Sequence, residues 1–446
     1  MSIYNRQDRH LPVRPNLDQL KQQAKDLLRA IRRGDPAAIE EFNHYHPESS
    51  RFALSAHKAS ALPAGERAAI KLADAQLALA RSYQAPSWPR LVQACKLIDA
   101  IWRDDVEAVR KIVSQNPKLL HEHATIRDSN WGPPLSYAAN LGRDAIIKLM
   151  HKLGAMDLEH ALGRAMLQSK IGTAAMLYKM LGSPPPPDGA LSGPAYTLSP
   201  SGTAFALKIG VPVHDQNGNR LAPVDVVLET DGRNPAAKHE ILEMYVDYGL
   251  ELPDTPVMAL HRGRVDLLEE HLRCDPKLLQ RTFTHEEIYP PDMGCHDEVL
   301  ATQGTPLKGT TLLHLCVDYD EIEIARWLIQ KGADVNARAV IDADGFGGHT
   351  PLFCTVVSQP NFWMNYGAGK PQVAPFTELL LDSGADPNAR ASLRKKLGPG
   401  YGPKYDVENV YEYRDVTALS WGKQFHAKVF VSEPAMKLIE EQGGIE

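Results

Sequence analysis

Residues 309–338, GTTLLHLCVDYDEIEIARWLIQKGADVNAR, decide how the rest of the chain is interpreted. Leu315 and Cys316 belong to a short first helix. A second helix carries a wide apolar stripe at helical spacing: Ile322, Ile324, Ala325, Leu328 and Ile329. Gly332 then ends the second helix, because glycine adopts the left-handed conformation without a steric penalty. One such helix pair cannot bury its own stripe, so it needs a similar pair on each side.

The same pattern returns along the chain, so the sequence predicts a repeat array. Two further clear copies follow, one split between 349–357 and 376–390 and one at 416–444. Weaker copies occupy earlier stretches: 97–120, 134–155, 158–182, 222–252 and 257–279. Eight units of about 33 residues each leave about 86 of the residues after position 96 to insertions.

These units resemble ankyrin repeats, which begin with T-P-L-H, continue through two helices and end with G-A-D-V-N. Thr311, Leu313 and His314 match the start, and the end matches at Gly332, Ala333, Asp334 and Asn336. The resemblance implies an all-α ankyrin-repeat solenoid. It also implies a protein-interaction scaffold that binds a protein partner on its concave surface and uses no cofactor. His314, as the histidine of the motif, is expected to be structural.

Four domains follow from this reading. Residues 1–95 form an N-terminal helical cap domain with helices at 17–31, 37–45 and 65–83, and Gly34, Asp35 and Pro36 break the first helix from the second. Degenerate repeats fill 96–182, a proline-rich linker with one worn repeat fills 183–220, and repeats with long inserted loops fill 221–446. The stretch 72–91 is similar to a helical leader of bacterial proteins, which suggests a bacterial origin.

Composition excludes several classes of protein. The chain is 43 % hydrophobic and 23 % charged with a net charge of −6, which is ordinary for a soluble globular protein and disfavours a nucleic-acid partner. The five cysteines contain no C-x-x-C, so neither a disulfide framework nor a structural metal site is indicated. No stretch approaches the roughly 18 apolar residues of a membrane span. A cytoplasmic protein is therefore expected.

The insertion 280–308 is the richest in chemical groups. Its candidates for catalysis are His285, Glu286, His296 and Asp297, since imidazoles and carboxylates are the groups that acid–base catalysis requires. Their spacing is not that of the H-E-x-x-H zinc motif, so the insertion is interpreted as a polar loop. The alternative is a hydrolase or lyase, with a small-molecule substrate bound in a pocket that inserted loops form over the concave face.

Partner contacts are expected at hairpin tips and in the aromatic loops, because interface energy concentrates on exposed aromatic and arginine anchors. The predicted contact residues follow: Trp131, Gly347, Gly348, Trp363, Tyr401 and Tyr405. Asp342 and Asp344 resemble the start of a calcium loop, but the later ligands are missing, and a glycine-rich tip is favoured. The basic residues Arg394, Lys395, Lys396 and Lys404 are interpreted as a solvated or protein-docking loop rather than a nucleic-acid site.

Overall fold

The computed structural model describes residues 4, 8–52, 69–230, 232–296, 304–357, 372–397, 409–426 and 428–446. The chain divides into two compact units, Met1–Pro184 and Pro185–Glu446. Each unit is built mainly from short helices, and consecutive helices pack against each other in pairs. The four-domain division expected from the sequence remains a prediction.

The first unit begins with the expected helical cap. Its first two helices are α1 (Leu17–Arg33) and α2 (Pro36–Tyr45). Gly34 ends α1 at φ 84°, and the Asp35 side chain accepts from the first amides of α2, so the predicted break is confirmed. The predicted helix at 65–83 is α3 (Leu72–Ser82), whose beginning lies later because Asp74 accepts the Lys71 N–H at 2.8 Å. Residues 65–68 lie outside the described residues.

Three helix pairs follow in the first unit: α4 (Trp88–Trp102) with α5 (Val106–Gln115), α6 (Pro134–Asn140) with α7 (Asp144–Lys152), and α8 (Leu158–Leu167) with α9 (Ile171–Met180). The first helices of neighbouring pairs pack side by side, as α6 does on α8. In α6 every residue is buried. Each apolar stripe is therefore covered by the next pair, as a repeat array requires.

The described part of the second unit contains six pairs. They are α10 (Ser192–Tyr196) with α11 (Pro200–Lys208), α12 (Val224–Glu229) with α13 (Pro235–Asp247), α14 (Pro256–His261) with α15 (Val265–Cys274), α17 (Leu312–Asp318) with α18 (Ile322–Gln330), α19 (Pro351–Val356) with α20 (Pro375–Asp382), and α21 (Ala418–Gln424) with α22 (Glu433–Glu441). A four-residue helix, α16 (His285–Ile288), lies in the connection before α17. The pair α10–α11 lies within 183–220, the stretch that was predicted to hold a proline-rich linker and one worn repeat.

The described residues also contain one small sheet within this helical fold. Strands β1 (Arg390–Leu397) and β2 (Asn409–Thr417) pair antiparallel, with Leu393 opposite Tyr413 and a bulge between Ala391 and Leu393. The sequence predicts a solvated or protein-docking insertion that contains Arg394, Lys395, Lys396 and Lys404. The structure shows instead that both ends of this insertion extend a repeat hairpin into a longer two-stranded arm.

Candidate partner-binding surface

A hairpin between α18 and α19, residues 339–349, forms the structure that we call the finger. Its two arms exchange backbone hydrogen bonds, from Ala339 N–H to His349 O at 2.9 Å and from Gly348 N–H to Ala339 O at 3.1 Å. At the tip, Asp342 Oδ1 accepts from the N–H groups of Asp344 at 3.0 Å and Phe346 at 2.9 Å. A single carboxylate therefore fixes the turn, and no calcium ligand set is needed to explain it.

The finger is joined to the β1–β2 arm through Gly347. This residue exchanges two backbone hydrogen bonds with Ser392, at 2.7 and 3.3 Å. Its φ is +124°, and a Cβ at this position would lie 2.1 Å from Val340 O. Only glycine fits here, because any side chain would strain the backbone and push apart the two arms of the finger. The Gly347 amide, predicted as an accessible contact, is thus already used within the protein.

Side chains reinforce the same junction. The Arg394 guanidinium lies 2.8 Å from Asp342 and 2.9 Å from Asp344. Arg394 and Arg414 both lie over the Phe346 ring, with centroid distances of 4.6 and 4.3 Å. Exposed ion pairs contribute little stability individually, but this set holds the finger and the arm in one orientation. The charge of Arg394 is therefore neutralised by two aspartates, and Lys395 is buried. Both observations argue against phosphate binding by this strand.

The finger exposes two adjacent apolar side chains. Val340 is 55 % exposed and Ile341 is 62 % exposed. The acidic Asp342 and Asp344 follow them directly. A small apolar patch with a charged rim, carried on a fixed backbone, has the composition of a protein–protein contact.

The first helices of two neighbouring pairs in the second unit are completely buried. All residues of α17 and α19 are buried. Thr305, from the inserted connection, donates its hydroxyl to Val357 O at 2.8 Å and accepts from the Trp421 indole of α21 at 3.1 Å. The end of the insertion therefore packs against α19 and α21.

A cluster of buried charges lies at the turn between α17 and α18. Arg233 pairs with Asp318 at 2.9 Å, and Lys238 pairs with Glu321 at 2.9 Å. Tyr319 lies between the two cations, which are 4.7 and 4.6 Å from its ring. All five side chains are less than 10 % exposed. Buried charges of this kind need nearly complete pairing, and here the pairs connect 233–238 to the α17–α18 turn.

The pKa shifts in this cluster follow from burial and pairing. Burial lowers the pKa of Lys238, although Glu321 acts in the opposite direction. Burial alone would raise the pKa of Glu321, but the attraction of Lys238 and a hydrogen bond from His239 lower it overall. Asp320, beside the cluster, is exposed as a residue, but the packing around its carboxyl raises the pKa to about 6. Asp320 itself stands at φ 62° in the helix turn, where the repeat pattern has glycine.

His314 and His349 connect neighbouring repeats. Nδ1 of His314 accepts from the Thr311 N–H at 3.3 Å, and its Nε2 donates to His349 O at 3.1 Å. Nε2 of His349 in turn donates to Pro306 O at 2.9 Å. Burial lowers the pKa of His314 to about 3 and that of His349 to about 4. The structural role expected for His314 is therefore confirmed, and both rings act as neutral connectors.

The predicted catalytic residues occupy different environments. His285 begins α16, and its ring packs at 5.1 Å from that of Tyr289. Glu286 is exposed on the same helix, while Asp297 lies outside the described residues. His296 is 83 % exposed and lies beside Glu229, with 3.5 Å between Nδ1 and Oε2. The structure thus places His296 next to Asp225 and Glu229 of α12, and neither carboxylate was predicted as part of a site.

The predicted contact residues also lie in different environments. Trp131 is only 7 % exposed and packs at 4.8 Å from the Tyr137 ring, so it leaves little surface for a partner. Gly348 is buried in the finger. Trp363, Tyr401 and Tyr405 lie outside the described residues. The exposed pair Val340 and Ile341 was missed, although two apolar residues before a D-A-D-G turn were a readable signal.

A comparison with known protein families matches one of these helix pairs. The ankyrin repeat family matches residues 308–340, which span α17, α18 and the beginning of the finger. The crystal structure of the human ASB11 ankyrin repeat domain is similar at 13 % identity and a TM-score of 0.25, over 70 % of this chain and 99 % of that chain. The chain therefore contains an ankyrin repeat at residues 308–340. Ankyrin repeats in general are protein–protein interaction modules. Within the described residues, no helix is long and apolar enough to cross a bilayer.

Proposed function

We propose that this protein is an interaction scaffold that binds a protein partner on the concave ankyrin surface, with the finger at the edge of that surface as a principal contact. The observation that carries the proposal is the exposed pair Val340 and Ile341 on a backbone fixed at both arms. Because every residue of α17 and α19 is buried, the partner would contact the finger rather than these helices.

The rigidity of the finger supports this role. Ordering a mobile loop on binding costs free energy, whereas a preformed contact avoids that cost. The finger is held by Gly347, Asp342 and Arg394 before any partner arrives. The charged rim would then restrict which partners fit, since charge complementarity affects specificity more than affinity.

Quantitative co-purification tests the proposal. The tagged full chain is compared with Ile341→Asp and with Met156→Asp, a matched substitution at a side chain that is 82 % exposed in the other unit. A defined protein should be recovered with wild type and Met156→Asp and be depleted at least tenfold with Ile341→Asp. Identical recovery with both variants would exclude the finger as a principal contact.

A hydrolase or lyase is the second candidate, favoured by one observation. The His296 imidazole lies 3.5 Å from the Glu229 carboxylate in an exposed position, and such a pair can act as general acid and base. Screening wild type and His296→Ala against hydrolase and lyase substrate panels decides the matter. Turnover that His296→Ala abolishes would support an enzyme, and the absence of turnover would leave the scaffold role.

A further inference from the structure

Three side chains from two separate segments converge beside α12. Asp225 and Glu229 are four residues apart in this helix and share one face. His296 comes from the connection after α16, and its backbone N–H donates to Glu229 Oε1 at 2.8 Å. One ligand atom from each of the three residues lies within 4.8 Å of the other two.

The approach of the connection to the helix depends on Gly294. This residue has φ +85°, and a Cβ there would lie 2.6 Å from Arg220 Nη2 and 3.4 Å from Asp225 Cγ. The His296 ring is oriented by the same turn, since its Nδ1 lies 3.2 Å from Gly294 O. The local backbone therefore brings the imidazole to the carboxylates and holds it there.

The donor set suits a divalent transition metal. Imidazole nitrogen and carboxylate oxygen are common zinc ligands at about 2.0–2.2 Å, so a tetrahedral ion would bring the ligand atoms to about 3.3 Å from one another. His296 Nδ1 lies 3.5 Å from Glu229 Oε2 and 3.2 Å from Gly294 O. Binding of the ion by Nδ1 would therefore replace its contact with the carbonyl, and the exposed ring can make this change by a small rotation. Calcium is disfavoured, because it takes six to eight oxygen ligands.

We propose that Asp225, Glu229 and His296 bind one divalent transition-metal ion, with Zn²⁺ as the best-fitting probe. The site is independent of the scaffold role proposed above. The ion would connect α12 to the segment that leads to α17, and three protein ligands would leave coordination positions open to water. The Arg220 guanidinium, 3.7 Å from Asp225 Oδ1, lowers the local negative charge and so limits the affinity.

Isothermal titration calorimetry of the metal-stripped full chain with ZnCl₂ tests the site. We expect one saturable site of micromolar or tighter affinity, and no comparable heat with MgCl₂ or CaCl₂. His296→Ala and Glu229→Gln should each weaken this binding at least tenfold. His285→Ala removes a histidine of the same connection outside the cluster and should bind as wild type.

A variant that is expected to bind Zn²⁺ more tightly distinguishes the loss of a ligand from misfolding. Arg220→Gln removes a positive charge beside Asp225 and should tighten Zn²⁺ binding severalfold, which a damaged protein would not do. Zn²⁺ should also raise the melting temperature of wild type but not of His296→Ala, with circular dichroism confirming that both are folded. The proposal is overturned if wild type shows no saturable site, if His296→Ala and Glu229→Gln bind like wild type, or if Arg220→Gln binds no more tightly.

Discussion

Replacing Glu321 by Gln probes the buried charge cluster that holds 233–238 against the α17–α18 turn. Glu321 lies 2.9 Å from Lys238 Nζ and 2.8 Å from His239 Nε2, and its side chain is 3 % exposed. The glutamine keeps the shape but removes the charge. Lys238 is then left with Nδ1 of His261 at 3.3 Å and the face of Tyr319.

The expected cost follows from this environment. Removing one partner of a buried ion pair destabilises a protein by about 3–5 kcal/mol. The lower end applies, because Lys238 can release its proton, its pKa being already lowered by burial. At about 1–3 kcal/mol per molar urea, a loss of about 3 kcal/mol lowers the unfolding midpoint by about 1 M or more.

Urea denaturation at pH 7, followed by far-UV circular dichroism, measures the loss. Glu323→Gln is the matched control, since Glu323 is 85 % exposed and 3.8 Å from Arg326, and it should change stability by less than about 0.5 kcal/mol. The double variant Lys238→Met/Glu321→Gln should regain part of the loss, because no charge is left unpaired. A loss below about 1 kcal/mol, or a double variant no more stable than Glu321→Gln, would refute the reasoning.

Three further outcomes are expected. Because the pKa values of His314 and His349 are lowered to about 3 and about 4, only the unfolded chain binds these protons between pH 6.5 and about 4. Stability should therefore fall by up to about 1.4 kcal/mol per pH unit for each histidine as the pH drops below 6.5, and urea midpoints that stay level from pH 7 to 5 would contradict this. Gly347→Ala should cost more than about 2 kcal/mol in urea denaturation, because its Cβ would meet Val340 O; Gly345→Ala, with open space around it, should cost clearly less, and equal losses would argue against the close approach. Cys274 is the one exposed cysteine, so the native protein should release one equivalent in a rapid thiol assay, and two or more rapid equivalents would show that a buried thiol is accessible.

Local patterns predicted the repeat well. In 309–338 the apolar period, Gly332 and His314 are all local signals, and each has the role expected from it. The breaks at Gly34 and Asp35 were equally readable, because capping depends on neighbouring residues. Helix boundaries and repeat order therefore follow from the sequence over most of the described chain.

Contacts between segments that are distant in the chain could not be predicted from the sequence. Arg233 and Asp318 are 85 residues apart, and single charges in worn repeats carry no periodic signal that would pair them. His296 was selected for its chemistry, but Asp225 and Glu229 are brought to it only by the path of the connection. Apolar residues alternate in parts of the β1–β2 arm, which is a pattern typical of β-strands. The length of the insertion made this pattern hard to recognise.

Site-specific photo-crosslinking tests the central claim most directly. A photoreactive amino acid replaces Ile341 in the finger and, as a control, Met156 at a similarly exposed site. Light should produce a covalent adduct of the full chain with one defined protein from position 341 and none with that protein from position 156. No adduct at position 341, or the same adduct at both positions, would contradict a finger-mediated protein scaffold.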